Sequence, residues 1–402
     1  MKEQIIIAGI GPGRAFELTG SARDAFLAAD VIIGAGRMLE DLQNVLKESD
    51  HSSADGCSEG NRMKEQSKIY IREYRPDQIA EYILQDLKRF ARRRYFIAVS
   101  GDSGFFSGAA GIRKIIEKNG LSVKILPGIS SLSYLCAKAG VSWQDVVCIS
   151  AHGRELCIAS EVRRSRKTFV LTGGNTGALL KRLTDFGLGG VRVIAGERLS
   201  YEDEIITEGS AFELAERPFD EPTSLLILNE NARSGFCAGI SDELFVRGEI
   251  PMTKREVRAV TMSNLNLQPE DIVYDIGAGT GSVTMEAALA AFRGRVFAVE
   301  KNPEAIKLIE ENCRKFSADN VKIIEGSAPA ALKGLPAPDA VFLGGTGGAL
   351  DEILAALCGW SEEISSMSNE AAKSDVPASY NTGDNAKSES TLRIVMNAVS
   401  ME

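Results

Sequence analysis

The chain has 402 residues, 44% hydrophobic and 25% charged, with a formal net charge of −9. That length accommodates two or three domains with cores of their own, the acidic balance argues against broad nucleic-acid binding and for a small-molecule substrate, and no apolar run reaches the ~18 residues that span a bilayer. Seven scattered cysteines without a CxxC pair and only two histidines, His51 and His152, exclude a disulfide framework and a His-rich metal centre. The N-terminus enters a strand without a secretory leader, so a cytoplasmic protein is expected.

In chain order, residues 1 to about 230 alternate strand-like runs with helix-like stretches, the pattern of an α/β domain. The runs are Ile5–Ala8, Val31–Ile33, Tyr95–Val99, Val123–Leu126, Val146–Ile149, Thr168–Leu171, Val191–Ala195 and Ser224–Leu228. The first passes directly into Gly9-Ile10-Gly11-Pro12-Gly13, whose glycines let the backbone approach a ligand closely. Residues 47–68 are polar and without period, which predicts a flexible surface loop holding His51. Two later strands end in Ser100-Gly101-Asp102-Ser103-Gly104-Phe105-Phe106-Ser107 and in Pro127-Gly128-Ile129-Ser130-Ser131. Asp102 either orients a ligand group or stabilises its own turn. Of Phe105 and Phe106, one is expected to line a pocket and the other to join the core. His152 is either a functional side chain or a satisfied loop histidine.

From 231 to 248 the pattern loosens into a linker. A domain over 249–402 then opens with the helical segment Thr253–Asn264, Pro269 and the strand Ile272–Tyr274. Asp275-Ile276-Gly277-Ala278-Gly279-Thr280-Gly281 follows, then strand Val296–Val299 ending at Glu300, helix Pro303–Phe316, and strands Val321–Ile324 and Ala340–Leu343. This order predicts a doubly wound, Rossmann-like half sheet. Asp275 before the glycines and Glu300 after the second strand suit a nucleoside cofactor. The Asp-x-Gly-x-Gly-x-Gly form favours S-adenosylmethionine (SAM), with a nicotinamide dinucleotide as the rival. Residues 361–390 hold eight serines and six acidic residues, a composition that does not offset the entropy of ordering, so disorder is expected. Leu392–Val399 reads as a last strand.

On these motifs the first half, about residues 5 to 230, resembles the tetrapyrrole methylase family and, within it, the precorrin methyltransferases of cobalamin synthesis. The segments Val147-Cys148-Ile149-Ser150-Ala151-His152-Gly153-Arg154 and Leu171-Thr172-Gly173-Gly174-Asn175-Thr176 resemble the branch that methylates C-5 of the corrin precursor. The resemblance implies SAM in a cleft between two α/β lobes, with Pro12, Gly101, Asp102, Phe105, Phe106, Ser130, Ser131 and Thr172 at the cofactor and His152 toward the substrate.

The second half resembles class I SAM-dependent methyltransferases. Ile250–Arg258, Glu325-Gly326-Ser327-Ala328 and Val341–Gly348 are similar to the partner enzyme that methylates C-15 with loss of the ring C acetate as carbon dioxide. By that resemblance Thr253, Asp275, Gly277, Ala278, Gly279, Thr280, Gly281, Glu300 and Ala328 contact SAM, and Gly344 and Gly345 place bare backbone beside the substrate. Lys254 and Arg258 either bind the tetrapyrrole's carboxylates or form a solvated charged face.

The expected protein is therefore a two-lobed tetrapyrrole methylase domain followed by a Rossmann-like class I methyltransferase domain truncated at its C-terminus. Its implied work is methylation of a precorrin-6-type or cobalt-precorrin substrate at C-5 and C-15, with a homo-oligomer expected and no metal, nucleic-acid or membrane partner. Relatives of the first fold also methylate ribosomal RNA or a diphthamide precursor, and a SAM-binding scaffold with an inactive second half is the reading from another class. No catalytic acid or base is assigned.

Overall fold

A computed structural model describes residues 4–13, 17–51, 68–91, 93–153, 155–359 and 392–397, whose strands form three five-stranded sheets. The first sheet holds β1 (Ile5–Gly9), β2 (Val31–Gly34), β3 (Ile69–Arg72), β4 (Tyr95–Val99) and β5 (Val123–Leu126), all parallel in the order β3-β2-β4-β1-β5. Parallel strands need cover on both faces, and the apolar runs supply it. Ile5 and Ile7 of β1 join Ile79, Ile83, Ile112 and Ile116 on one side, while Ala8 joins Phe26, Leu39 and Leu42 on the other. The covering helices are α1 (Gly20–Ala28), α2 (Gly36–His51), α3 (Pro76–Arg89) and α4 (Ala109–Lys118).

Helix α5 (Ser131–Ala139) leads to the second sheet of β6 (Val147–Ser150), β7 (Lys167–Leu171), β8 (Arg192–Glu197), β9 (Ile205–Ser210) and β10 (Thr223–Leu228), in the order β6-β7-β10-β8-β9. Only β6 and β7 are parallel in it; the other neighbours are antiparallel. Helices α6 (Ile158–Arg164), α7 (Thr176–Leu183) and α8 (Ala211–Ala215) cover it.

Beyond α9 (Arg255–Leu265), the third sheet is fully parallel: β11 (Ile272–Ile276), β12 (Arg295–Glu300), β13 (Val321–Glu325), β14 (Ala340–Leu343) and β15 (Arg393–Met396), in the order β13-β12-β11-β14-β15. With α10 (Ser282–Ala290) and α11 (Pro303–Phe316) this is a Rossmann-like half with its switch point beside β11.

Strands β3 and β9 have no counterpart in the sequence reading. Both are edge strands, and β9 leaves Ile205 and Ile206 about 40% exposed, so neither carries the long apolar run of a central strand. Residues 47–51, expected in a loop with His51, instead continue α2 to its end. The rest of that expected loop, 52–67, and the expected disorder over 361–390 lie outside the described residues. The segment around 239–246 is bound to the third sheet's helices: buried Glu286 accepts from Gly239 N (2.9 Å) and Ile240 N (3.0 Å), and Asn312 Oδ1 accepts from Val246 N (2.8 Å). No helix among the described residues is long and apolar enough to cross a membrane.

Candidate active sites

The C-terminal ends of β1, β4 and the loop after β5 meet backbone to backbone. A Cβ on Gly9 would lie 2.5 Å from Gly101 O and 2.8 Å from Gly128 N, and one on Gly128 would lie 2.3 Å from Gly101 O. Glycine is required at these positions by space. Gly11 and Gly101 exchange two hydrogen bonds, N to O at 3.1 and 3.0 Å.

Asp102 completes the arrangement. Its Oδ1 accepts from Gly104 N (2.8 Å) and its Oδ2 from Gly128 N (2.9 Å). The carboxylate thus both turns its own loop and ties that loop to the next. Ser130 caps α5 by accepting from Ser133 N at 3.0 Å, and Ser131 is the helix's first residue. Phe105 packs against Phe169 at 5.8 Å between ring centres, whereas Phe106, at φ 46°, stays 45% exposed.

Thr172 and His152 come from the second sheet. Thr172, expected at the cofactor, has no exposed area, and its hydroxyl donates to Thr223 O (2.8 Å), so it presents no surface to a ligand. Exposed His152 places Nδ1 3.1 Å from Ser150 Oγ, and its backbone lies against Gly173.

Three residues near Pro12 escaped the sequence reading. A Cβ on Gly13 would lie 2.5 Å from the ring of Tyr201, whose hydroxyl accepts from Arg37 Nη1 (2.5 Å) and donates to Asp41 Oδ2 (2.9 Å). Arg37 Nη2 also donates to Ser100 Oγ at 3.3 Å. Tyr201 crosses from the second sheet to α2 of the first, and no periodicity or motif marks a contact between positions so far apart.

In the third sheet an open cleft with about 380 Å³ of empty space, part of it continuous with solvent, lies at the ends of β11, β12, β13 and β14, lined by Gly277, Glu300, Ala328 and Gly345 among the expected residues. Gly277, Gly279 and Gly281 have φ of 74°, 56° and 74°, the left-handed region. The two glycine loops touch: a Cβ on Gly277 would lie 2.6 Å from Gly345 O, and Gly344 N donates to Ile276 O at 2.9 Å. Ala278 is pinned by its N–H to Val299 O at 3.2 Å.

Glu300 is held ready at the cleft wall. Its Oε2 accepts from Gly279 N (2.8 Å), and its Oε1 from Lys301 N (2.8 Å) and Asn302 N (2.9 Å). Asp275 lies fully buried beneath, with Oδ2 accepting from Thr284 Oγ1 (2.5 Å) and Oδ1 without a protein partner. Burial pushes its pKa up to about 7 against the hydrogen bond from Thr284. The Thr280 hydroxyl is buried and likewise unpartnered. Lys301 and Ile353 also line the cleft; Lys301 follows the end of β12, a position readable from the strand order, whereas Ile353 carries no sequence signal.

Arg258 is a correction. Its side chain has no exposed area; Nε donates to Glu286 Oε1 (2.9 Å), Nη1 to Asp242 Oδ1 (2.8 Å) and Thr253 O (2.5 Å), and Nη2 to Ile240 O. With four of its five N–H donors used and no exposed area, this guanidinium anchors residues 240–253 on the domain and does not reach a substrate carboxylate. Thr253 is half-buried in that anchored segment, and Lys254 is exposed as the N-cap of α9.

The profile of the tetrapyrrole (corrin/porphyrin) methylases matches residues 4–215, and that of a precorrin methyltransferase domain matches residues 243–365. The chain is 34% identical over 269 residues to the precorrin-6Y C(5,15)-methyltransferase [decarboxylating] of a Sinorhizobium species, covering 65% of this chain and 64% of that one. Over 116 residues it is 47% identical to the cobalt-precorrin-6B C(15)-methyltransferase (decarboxylating) of Salmonella typhimurium, covering 29% of this chain and 59% of that one. A solved structure of a precorrin-6y C5,15-methyltransferase from Geobacter metallireducens is 48% identical, with a TM-score of 0.29, covering 30% of this chain and 63% of that one. The chain thus spans less than two thirds of the length of these relatives.

Proposed function

Because the chain belongs to the family of tetrapyrrole (corrin/porphyrin) methylases, we propose that it methylates a precorrin-6-type or cobalt-precorrin tetrapyrrole at two positions, C-5 by its first half and C-15 by its second, with decarboxylation of the ring C acetate. The observation that carries this is the presence of two separate glycine-lined sites in one chain, in halves that match the tetrapyrrole methylases and the precorrin methyltransferase domain in that order.

The residues of both sites fit SAM. In the second, Glu300 lines the cleft where ribose hydroxyls would bind, whereas the unpartnered oxygens of Asp275 and Thr280 are buried and do not line it. A nicotinamide dinucleotide would use the same glutamate, but the precorrin methyltransferase match over 243–365 supports SAM. In the first, Gly101 to Phe106, Ser130, Ser131 and the backbone at Pro12 would hold it, with Thr172 buried behind them. Bound there, SAM supplies a methyl group already activated on a sulfonium, so what the protein adds is orientation and exclusion of water. Gly345 presents side-chain-free backbone at the second cleft, with Gly344 just before it in the loop, His152 would border the substrate at the first, and exposed Lys254 would be available to a substrate carboxylate.

The test is mass spectrometry of a precorrin-6-type substrate after incubation with SAM and the full chain. Two added methyl groups and released carbon dioxide are expected. One methyl group without carbon dioxide would confine activity to the first half, and none would overturn the assignment in favour of another substrate or a binding role.

A further inference from the structure

The second and third sheets meet on a buried carboxylate. Asp319, in the turn before β13, has no exposed side-chain area. Its Oδ1 accepts from Ser160 N (2.9 Å) and Ser160 Oγ (2.8 Å), and its Oδ2 from Ala159 N (3.1 Å) and Arg182 Nε (2.8 Å). Arg182 Nη2 adds a bond to the Asp319 carbonyl at 2.7 Å. Cys157, the residue at the N-cap of α6, makes no side-chain cap bond. A side chain 160 positions away therefore satisfies that helix's free N–H groups, where negative charge is favoured.

Other pairs follow the same seam. Arg295 meets Glu155 at 3.1 Å, Arg293 meets Glu161 at 3.3 Å, and Ser317 Oγ donates to Phe186 O at 2.9 Å. Phe186 packs into the cores of both sheets. Desolvation raises the pKa of Glu161, against the opposing charge of Arg293.

What this seam holds is the connection that carries His152, the residue proposed to border the first site's substrate. Strand β6 ends at Ser150 and α6 begins at Ile158, so the connection between them carries His152. Its leading end is fixed by its own sheet, through Ala151 N to Leu171 O (2.9 Å) and the contact of Ser150 with His152. Its trailing end, Glu155 and the first turn of α6, is fixed by Arg295 and Asp319 of the other half.

We infer that Asp319 and Arg295 are positioning residues for the first site: the C-terminal half, apart from whatever it catalyses, sets the placement of the loop that presents His152 to the tetrapyrrole. The kinetic part of this inference rests on the proposed function, because only there does His152 border a substrate. The positional part does not.

Both parts are tested on the full chain. Hydrogen exchange of residues 151–164 and the kinetics of the first methyl transfer are measured for Asp319→Ala, for Glu155→Arg, for Arg295→Glu and for the Glu155→Arg/Arg295→Glu pair. In Asp319→Ala these amides are expected to exchange about tenfold faster or more, and the tetrapyrrole KM of the first transfer to rise roughly fivefold or more with kcat less affected and SAM affinity of both sites unchanged. Each single reversal at the half-exposed pair has a smaller effect of the same kind, and the double reversal restores it. Unchanged exchange in Asp319→Ala overturns the inference. Should that variant fail to fold, the charge pair decides alone, and reversals that leave exchange unmoved, or that are not rescued, overturn it. A wild-type chain that transfers no methyl group refutes the proposed function, while the exchange measurement still decides the positional claim.

Discussion

The two glycine loops contain similar residues and solve different problems. At Gly9 and Gly128 the difficulty is space: their backbones pass within contact of each other and of Gly101 O, Gly101 itself needing only its φ of 64°, and Asp102 ties two of these loops together through Gly104 and Gly128. At Gly277, Gly279 and Gly281 every residue has positive φ, so torsion is demanded throughout, with space as well at Gly277, whose Cβ would lie 2.6 Å from Gly345 O; acidic groups stand nearby. Glu300 faces the cleft from three backbone N–H groups, and Asp275 keeps one oxygen without a partner. The first set is closed mainly by backbone packing, whereas the second combines packing with left-handed torsion and a carboxylate at a cleft wall.

The contrast breaks most sharply on Gly128→Ala. The added carbon would sit 2.3 Å from a backbone oxygen that no side-chain rotation can relieve. A loss at the upper end of the ~1–3 kcal/mol that overpacking costs is expected, read as a lower urea midpoint. A midpoint equal to wild type would show that the three loops are not in the contact described.

A second substitution sharpens the electrostatic side. Glu300→Ala removes a carboxylate that accepts three N–H bonds at the cleft wall, and bonds to a charged group are worth about 1.5–3 kcal/mol each. Calorimetric titration with SAM should lose the weakened site and retain the other. Loss of both, or of neither, would contradict two independent sites.

The smallest effect is one of pH. The Asp275 carboxyl has a folded pKa of about 7 against a reference of 3.8, so its protonated form stabilises the fold below the lower value. That contribution is lost as pH rises through about 7. Between pH 6 and pH 8 the loss is about 1.4 kcal/mol. Asp275→Asn, which stays neutral, should therefore melt progressively higher than wild type over that window. A gap that does not change with pH would mean the aspartate is not titrating there.

Much of this was legible beforehand. Central strands such as β1, β4, β11 and β12 are apolar runs that bury both faces, and α11 follows its amphipathic period from Pro303 to Phe316. The edge strands β3 and β9 were not, because burying less they need no continuous apolar pattern. The glycine loops announced themselves, since few other uses explain so many glycines at strand ends. Arg258 misled for a related reason: a helix pattern tells which residues share a face, but not that Glu286 and the carbonyls of Ile240 and Thr253 close over that face.

By itself, then, the sequence determined most of the elements, the two glycine loops and the order of the two halves, because those follow from local torsion and short-range hydrophobic periodicity. Only the tertiary structure decided which charges are spent and which are free. Asp319 caps a helix 160 positions away, Tyr201 reaches α2 across two sheets, and Arg258 is consumed in a buried network. Such pairings depend on through-space distance and desolvation, and chain spacing encodes neither.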